Sequence, residues 1–291
     1  MRTKTALALF ATVLTAPLGC AQLQTSPSSA APDASPSAAA SAAPVAKTAE
    51  EAEHRAPVLE AIADGVWVHQ SWTMIKPWGL ILSQGLVIET SDGAVLVDTA
   101  WNDADTDDLA RLVREETGMA LRAGVVTHAH DDKMGGVGAL TRVGVPTYAH
   151  PMSNEDAPAR GLMPAAHTLA LGAIGDAVSI NDVLGVTGDD APVITAFYPG
   201  TGHTRDNIVV HVKTTDGADI IFGGCLIRPR GAGSLGNTAD GDVPHWAVAA
   251  RLVAERFPDA TIVVPSHGKT GGRDLLTRTV TLGRAAAEKQ K

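Results

Sequence analysis

"VVTHAHDDKMGG", residues 125–136, places a cluster of polar side chains directly after an apolar strand. His128, His130 and Asp132 occupy alternate positions in it, and alternate side chains of an extended segment point to the same side. Two imidazoles and a carboxylate would therefore crowd one small volume, where each buried polar group needs a partner. A metal ion is the simplest partner that all three could share, so the stretch predicts a metal site.

Three more side chains of the ligand type lie at comparable positions along the chain. His203 lies in "YPGTGHTRDN", Cys225 ends "IFGGC", and His267 lies in "VPSHGKTGG". The adjacent glycines let the backbone turn sharply and let a ligand approach. The six residues together exceed the roughly four ligands of a closed structural zinc, whereas catalytic zinc sites take about three protein ligands each and keep a position open for water. The set therefore favours two zinc ions in an open, catalytic arrangement.

Two segments resemble one another and predict how the chain is organised. Residues 85–101 and 207–225 each read as strand, Asp-Gly turn and strand, which is a strong hairpin signal. Helical patterns follow the two hairpins, at residues 103–118 and 243–258. We therefore expect one α/β domain over residues 54–291, built as a four-layer αβ/βα sandwich with two sheets inside and helices outside.

The beginning of the chain is typical of a bacterial export signal. Residues 1–20 combine a basic start, an apolar run too short to span a membrane and a final "PLGC". Either Cys20 carries a lipid, or cleavage after Ala21 releases a soluble protein. Residues 21–53 are nearly all Ala, Ser, Pro and small polar residues, which predicts a disordered tether. A tether makes most sense behind an anchor, so we expect a periplasmic protein attached to the outer membrane through Cys20.

Charge and cysteine content narrow the function further. From residue 54 onward the chain carries 20 Lys+Arg and 28 Asp+Glu, after 3 basic and 4 acidic residues are taken from the totals of 23 and 32. An acidic domain without a basic cluster argues against nucleic acid as a partner. Cys225 is the only cysteine outside the signal, so the domain forms no intrachain disulfide. No oligomerisation signal is present, and we expect a monomer.

The motifs "HAHDDKMGG", "YPGTGHTRDNIVV", "FGGCLI", "SLGN" and "VPSHG" together resemble the metallo-β-lactamases, in particular subclass B1 with its New Delhi and Verona integron-type enzymes. The similarity runs from about Val66 to the C-terminus. The wider superfamily has a histidine directly after the motif aspartate, where this chain has Lys133, and the thiol of Cys225 is typical of subclass B1. The resemblance implies two zinc ions, the first held by His128, His130 and His203 and the second by Asp132, Cys225 and His267.

The same resemblance implies a reaction, the hydrolysis of the β-lactam ring of penicillins, cephalosporins and carbapenems by a zinc-bound hydroxide, which confers antibiotic resistance. Asp132 and Asn237 are the expected catalytic residues besides the histidines. Asn237, in "SLGN", would hydrogen-bond the lactam carbonyl or carboxylate, although a turn asparagine is the alternative. Arg228 stands where the family usually has a lysine that binds the substrate carboxylate, and arginine differs from lysine in reach and geometry. Arg230 and Arg205 are alternative cations.

Further residues are expected to line or support the site. "SWTMIKPWG", residues 71–79, lies between two strands, and we interpret it as a flexible flap that places Trp72, Met74 and Trp78 over the substrate; a plain packing loop is the alternative. Asp98 ends a strand and resembles a residue that positions metal ligands. Lys133 is expected beneath the second zinc.

Two other functions compete with β-lactam hydrolysis. Arg228 in place of lysine leaves room for another cyclic substrate, such as a lactone, and metal-dependent activity without carbapenem turnover would indicate that reaction. A zinc-binding protein without catalysis is the other alternative. Six ligand-type residues argue against it, because a closed binding site needs about four.

Overall fold

The computed structural model describes residues 55–188 and 191–290. The export signal predicted at 1–20, the tether predicted at 21–53 and the domain boundary predicted at residue 54 lie outside the described residues. Within the described ranges, no helix is both long enough and apolar enough to cross a membrane.

The first half of the domain builds a seven-stranded sheet in which the strands lie in chain order. Its first four strands are antiparallel, because short turns connect them, and its last three run parallel to the fourth. The strands are β1 (Val58–Ala63), β2 (Val66–Ile75), β3 (Gly79–Thr90), β4 (Gly93–Val97), β5 (Leu121–Val126), β6 (Thr147–Ala149) and β7 (His167–Thr168).

The second half builds a five-stranded sheet with the order β12-β11-β10-β9-β8. All its neighbours are antiparallel except β11 and β12, which run parallel because a helix connects them. The strands are β8 (Ala177–Ser179), β9 (Val193–Phe197), β10 (Val209–Lys213), β11 (Asp219–Gly224) and β12 (Ile262–Pro265). The hairpins predicted in both halves are confirmed as β3–β4 and β10–β11.

Two of the long helices begin at a capping side chain. The Asn102 side chain accepts a hydrogen bond from the backbone N–H of Asp105 at the start of α1, and Gly118 ends that helix with a φ of 74°. Asp242 caps the start of α6 in the same way. The helices are α1 (Asp103–Thr117), α2 (Asp131–Met134), α3 (Val137–Arg142), α4 (Pro151–Asp156), α5 (Ile180–Leu184), α6 (Val243–Arg256) and α7 (Asp274–Glu288), with a 3₁₀ turn at Pro158–Arg160.

Buried hydrophobic side chains fill three interfaces, one between the two sheets and one on the outer face of each sheet. Between the two sheets, side chains such as Leu86 and Phe222 are fully buried against one another. On the outer face of the first sheet, Leu109 of α1 is buried against β3 and β4. On the outer face of the second sheet, Trp246 of α6 and Leu275 of α7 are buried. The layers therefore follow the order helix, sheet, sheet, helix, and the predicted four-layer αβ/βα sandwich is confirmed.

The segment predicted as a flap has a different structure from the one expected. Residues up to Ile75 pair with β3, so that only the turn between Ile75 and Gly79 is left outside the ladder. The loop predicted over residues 71–79 is therefore wrong for most of its length, since aromatic and β-branched residues favour extended strands. Met74 and Trp78 are exposed, with Trp78 75% accessible, whereas Trp72 is 9% accessible beneath the Arg55 guanidinium.

Candidate metal centre

The six predicted ligands come from four loops at one edge of the sandwich. His128, His130 and Asp132 follow β5, whose parallel neighbours end at the same edge. His203 precedes β10, and the two remaining residues follow strands of the second sheet. These two residues are Cys225 after β11 and His267 after β12. The two sheets therefore bring together residues that are far apart in sequence.

The three histidines of the predicted first zinc site converge through their ring nitrogens. His128 Nε2 lies 3.1 Å from His130 Nδ1, and His203 Nε2 lies 3.2 Å from the same atom. The ring centroids are 4.7–5.1 Å apart and the rings are nearly perpendicular to one another. The rings pack in a T-shaped arrangement, and nitrogens of His128 and His203 both approach His130 Nδ1, as expected for side chains that bind one cation.

The protonation of His130 shows that this group suits a cation. His130 Nε2 lies 2.9 Å from Asp240 Oδ2, and an ionised carboxylate only accepts hydrogen bonds, so that nitrogen carries the proton. In the neutral ring, Nδ1 then has a lone pair, and it faces the Nε2 atoms of His128 and His203. Burial, and then proximity to the other rings, lowers the pKa of His128 well below its usual value and that of His203 to about 3. The His128 and His203 rings are therefore neutral, which is the form that binds zinc.

The other three residues form a second group beside the first. Cys225 Sγ lies 3.2 Å from His267 Nε2 and 3.6 Å from Asp132 Oδ2, and the last two atoms are 3.5 Å apart. His267 Nδ1 lies 2.6 Å from the Leu82 carbonyl and donates to it, which leaves Nε2 with a lone pair. A carboxylate, a thiol and an imidazole lone pair at this spacing form a donor set that suits zinc.

The thiol is the member of this group that most needs a cation. Burial, and then the Asp132 carboxylate, raises the pKa of Cys225, because both disfavour a thiolate. A metal ligand must be the thiolate, and a bound divalent cation deprotonates a coordinating thiol outright. The chemistry of both groups therefore fits metal ions. The two groups also adjoin, because candidate ligand atoms of His128, His203 and Cys225 lie within 4.8 Å of one another.

A buried cation supports the second group from below. Lys133 is fully buried, and its Nζ lies 3.1 Å from Asp132 Oδ2 and 3.6 Å from Asp98 Oδ2. Lys133 also donates to Ser83 Oγ at 2.6 Å, and Ser83 Oγ donates to Asp132 Oδ2 at 3.2 Å. Burial would raise the pKa of Asp132, but Lys133 and the histidines outweigh it and hold that pKa far below its usual range. The Asp132 carboxylate is thus kept ionised and oriented.

Asp98 ties the two strands behind the site together. Its Oδ1 accepts from the Thr127 backbone N–H at 2.7 Å and its Oδ2 from the Thr127 hydroxyl at 2.9 Å, directly before His128. Asp98 has a φ of 61°, a left-handed conformation that is costly for a residue with a side chain. The buried His69 ring lies 3.1 Å from the Asp98 carbonyl oxygen and 3.2 Å from that of Val97, so it stabilises this turn.

A cavity of about 380 Å³ lies beside one member of each donor group, since His130 and Asp132 both line it. Asn237 lines it but is exposed, and its Oδ1 accepts a hydrogen bond from the Ala239 backbone N–H. The cavity is lined by Trp101, Ala129, His130, Asp131, Asp132, Arg160, Asn237 and Asp240. It places Asn237 on the same side of the site as Asp132.

The three candidate cations differ in their surroundings. Arg228 is half-buried and donates to the Ser234 carbonyl oxygen at 3.3 Å, and across residues 55–188 and 191–290 no carboxylate forms an ion pair with it. Arg230 pairs with Asp274 at 2.8 Å. Arg205 pairs with Asp156 at 2.7 Å and with Glu155 at 3.0 Å. Of these three arginines, only Arg228 is free to bind a carboxylate of a ligand.

The residues that support the site were largely missed by the sequence analysis. Asp240, Arg160, Ser83 and His69 contact the ligands, or the residues that hold them, across long sequence separations. Asp240 lies in an ordinary Asp-Gly turn, and the others lie in strands or turns without a motif. These residues reach the site only because the strands pair within each sheet and the two sheets pack together.

The comparisons with known proteins agree with this architecture. A family model described as the metallo-beta-lactamase superfamily matches residues 79–267, which include all six predicted ligands. A metallo-beta-lactamase type 2 of Bacteroides fragilis is 35% identical over 218 residues, covering 75% of this chain and 82% of that protein.

Solved structures match as well. The metallo-beta-lactamase FIM-1 from Pseudomonas aeruginosa, in its mono-zinc form, is 42% identical with a TM-score of 0.73, covering 81% of this chain and 98% of that one. A metallo-beta-lactamase from Hirschia baltica is 41% identical with a TM-score of 0.71, covering 79% of this chain and 98% of that one. With its fold, its two converging donor groups and these matches, the chain belongs to the metallo-β-lactamase superfamily.

Proposed function

We propose that this chain is a subclass B1 enzyme that binds two zinc ions and hydrolyses the β-lactam ring of penicillins, cephalosporins and carbapenems, and so confers antibiotic resistance. The observation that carries the proposal is the pair of adjoining donor groups, one of three imidazoles and one that contains the thiol of Cys225. Lys133 supports the subclass, because it stands where the wider superfamily has a further histidine and is buried beneath Asp132.

The two donor groups differ in the charge of the ligands that they would offer to a metal ion. The imidazoles of His128, His130 and His203 would hold the first ion and keep its full charge, whereas Asp132 and Cys225, with His267, would neutralise part of the charge of the second. Zinc in such a site lowers the pKa of water to about 7 and polarises a carbonyl as a Lewis acid. Lys133 and Ser83 keep Asp132 ionised and oriented for this role.

The protein also has to orient the substrate. A β-lactam carries a carboxylate near the scissile amide, and Arg228 offers a half-buried guanidinium without a carboxylate partner in the described residues. Asn237 lines the cavity, and we expect it to donate its side-chain amide to the lactam carbonyl or carboxylate. Met74 and Trp78, exposed near the β2–β3 turn, supply apolar surface for the substrate's side chains. Contact of the largely buried Trp72 with substrate stays a prediction.

Turnover of a carbapenem, a penicillin and a cephalosporin by the purified, zinc-loaded protein tests this function. We expect the lactam absorbance of all three to fall, the loss to stop when a chelator removes zinc, and activity to return when zinc is restored. A folded, zinc-loaded protein that leaves all three intact but opens a lactone would overturn the proposal in favour of another cyclic ester or amide.

Arg228→Ala is expected to lower kcat/KM about 10- to 100-fold, mainly through KM, because a hydrogen bond to a charged group contributes about 1.5–3 kcal/mol. Arg228→Lys should recover most of the loss. Arg230→Ala is the matched control, since that arginine pairs with Asp274. Steady-state kinetics on one carbapenem would measure all three. Equal effects of Arg228→Ala and Arg230→Ala would show that Arg228 does not bind substrate.

We further propose that the chain is exported to the periplasm, is anchored to the outer membrane through a lipid on Cys20 and acts as a monomer. The support is the sequence of residues 1–20, with its short apolar run and terminal cysteine. Fractionation of cells that express the wild type and Cys20→Ala would separate the alternatives. The wild type is expected with the outer membrane and the variant in the soluble periplasmic fraction.

A further inference from the structure

One ion pair reaches a histidine of the site from a segment that carries no ligand. Arg160, in the 3₁₀ turn after α4, places Nη1 2.9 Å from Asp240 Oδ2. The same carboxylate oxygen lies 2.9 Å from His130 Nε2. His130 Nδ1, on the opposite side of the ring, faces the Nε2 atoms of His128 and His203. Arg160 is thus linked to the metal-binding face of His130 through one oxygen atom.

We propose that Arg160 is a positioning residue, which fixes the Asp240 carboxylate and through it the orientation and tautomer of His130, and thereby tightens zinc binding at the three-histidine group. This inference rests on the proposed function, because it requires His130 to be a zinc ligand. It goes beyond that function by assigning a role to the segment between α4 and β7, which contributes no ligand of its own.

The exposure of Asp240 explains why it needs a second partner. Its side chain is 41% accessible and lies on the loop between β11 and α6, whereas the His130 side chain is 19% accessible. In the described residues, its carboxylate contacts only Arg160 and His130. A carboxylate on an exposed loop can rotate away into water at little cost, and the planar guanidinium restricts it to the conformation that faces His130.

Histidine orientation matters because the two ring nitrogens have different tasks. A carboxylate that accepts from the outer nitrogen fixes the tautomer and raises the basicity of the inner nitrogen. Loss of such a partner typically weakens metal binding about 10- to 100-fold. Arg160 acts one contact further away, and its pair with Asp240 is partly exposed to solvent, so we expect a smaller effect of about three- to tenfold.

A purely structural role for Arg160 is the main alternative, and the chain offers a matched control for it. Arg205 holds the helix that leads into this segment, by pairing with Asp156 and Glu155 at the end of α4, but it does not contact Asp240 through its side chain. If loosening the segment were enough to weaken zinc binding, Arg205→Ala would do so as well. If the contact with Asp240 is required, substitutions of Arg160 will weaken zinc binding and Arg205→Ala will not.

The test uses the full chain as wild type, R160A, R160K, D240N, R160A/D240N and R205A. Zinc affinities are measured by competition with a chromophoric chelator, and the Co²⁺-substituted proteins are compared by their visible and thiolate charge-transfer absorption. We expect R160A to weaken one of two zinc ions about three- to tenfold and to change the visible bands, while the charge-transfer band of Cys225 stays. R160K should recover part of the affinity, R205A should match the wild type, and R160A should have no further effect in the D240N background.

Four outcomes would overturn the inference. If the wild type binds two zinc ions and R160A binds them equally well, Arg160 does not position His130. If R205A weakens zinc as much as R160A, or if R160A has its full effect in D240N, Arg160 acts by another route than Asp240. If the wild type binds no zinc, the proposed function itself fails and the inference fails with it.

Discussion

His128→Ala is expected to lower kcat/KM for a carbapenem at least about a hundredfold and to remove about one zinc ion per chain. Loss of a residue that only supports a ligand costs about 10- to 100-fold, so the loss of a ligand should cost at least as much. His128 contacts both other histidines of its group, since its ring lies 4.7 Å from that of His130 and 4.8 Å from that of His203. Steady-state kinetics together with metal analysis would measure both quantities.

His167→Ala is a suitable control, because this exposed histidine in β7 stacks on Tyr148, away from the six ligands. It should keep wild-type activity and zinc content. Cys225→Ser should also lose about one ion, but it should spare the three-histidine group. A His128→Ala protein that folds, retains two zinc ions and turns over carbapenem at the wild-type rate would show that the first site is not formed by these histidines.

Lys133→Met is expected to destabilise the metal-free protein by about 3–5 kcal/mol, the usual cost of removing one partner from a buried ion pair. The Lys133 ammonium lies between the carboxylates of Asp98 and Asp132, and no water reaches it. Methionine fills a similar volume without a charge, so the loss would be electrostatic rather than a matter of packing. Chemical denaturation in the presence of chelator measures it without a contribution from bound zinc.

The loss of stability caused by Lys133→Met should also depend on pH. Burial, opposed by Lys133, raises the pKa of Asp98 to about 7, so this carboxyl is mostly neutral in the folded protein at pH 5 and ionised at pH 8. An ionised Asp98 needs the cation and a neutral one does not, so Lys133→Met should cost more at pH 8 than at pH 5. Lys213→Met, at an exposed position of β10, should change stability by less than about 0.5 kcal/mol. Equal losses for the two substitutions would contradict the buried-cation account.

Much of the fold was accessible from local patterns. The Asp-Gly turns identified both hairpins, and the helical pattern at residues 103–118 predicted α1 to within one residue. The six ligand-type residues could be selected because each stands where a strand meets a polar or glycine-rich loop. The sequence alone did not give the distances between these residues. The packing of the two sheets against each other brings their side chains within hydrogen-bond distance.

Two features could not be predicted in this way. Apolar side chains in residues 71–75 suggested a loop tip, but the same residue types favour strands, and the pairing with β3 decides between the two. The link from Arg160 through Asp240 to His130 joins positions 80 and 110 residues apart, and single polar residues in turns carry no signal of a partner at that distance.

We expect six side chains from both sheets to hold two zinc ions side by side. Anomalous diffraction at the zinc edge, from crystals of the purified protein, would locate these ions. Two peaks are expected, one among the rings of His128, His130 and His203 and the other between Asp132, Cys225 and His267. A single peak with four protein ligands closed around it, or peaks away from these residues, would show that the two donor groups do not each bind a zinc ion.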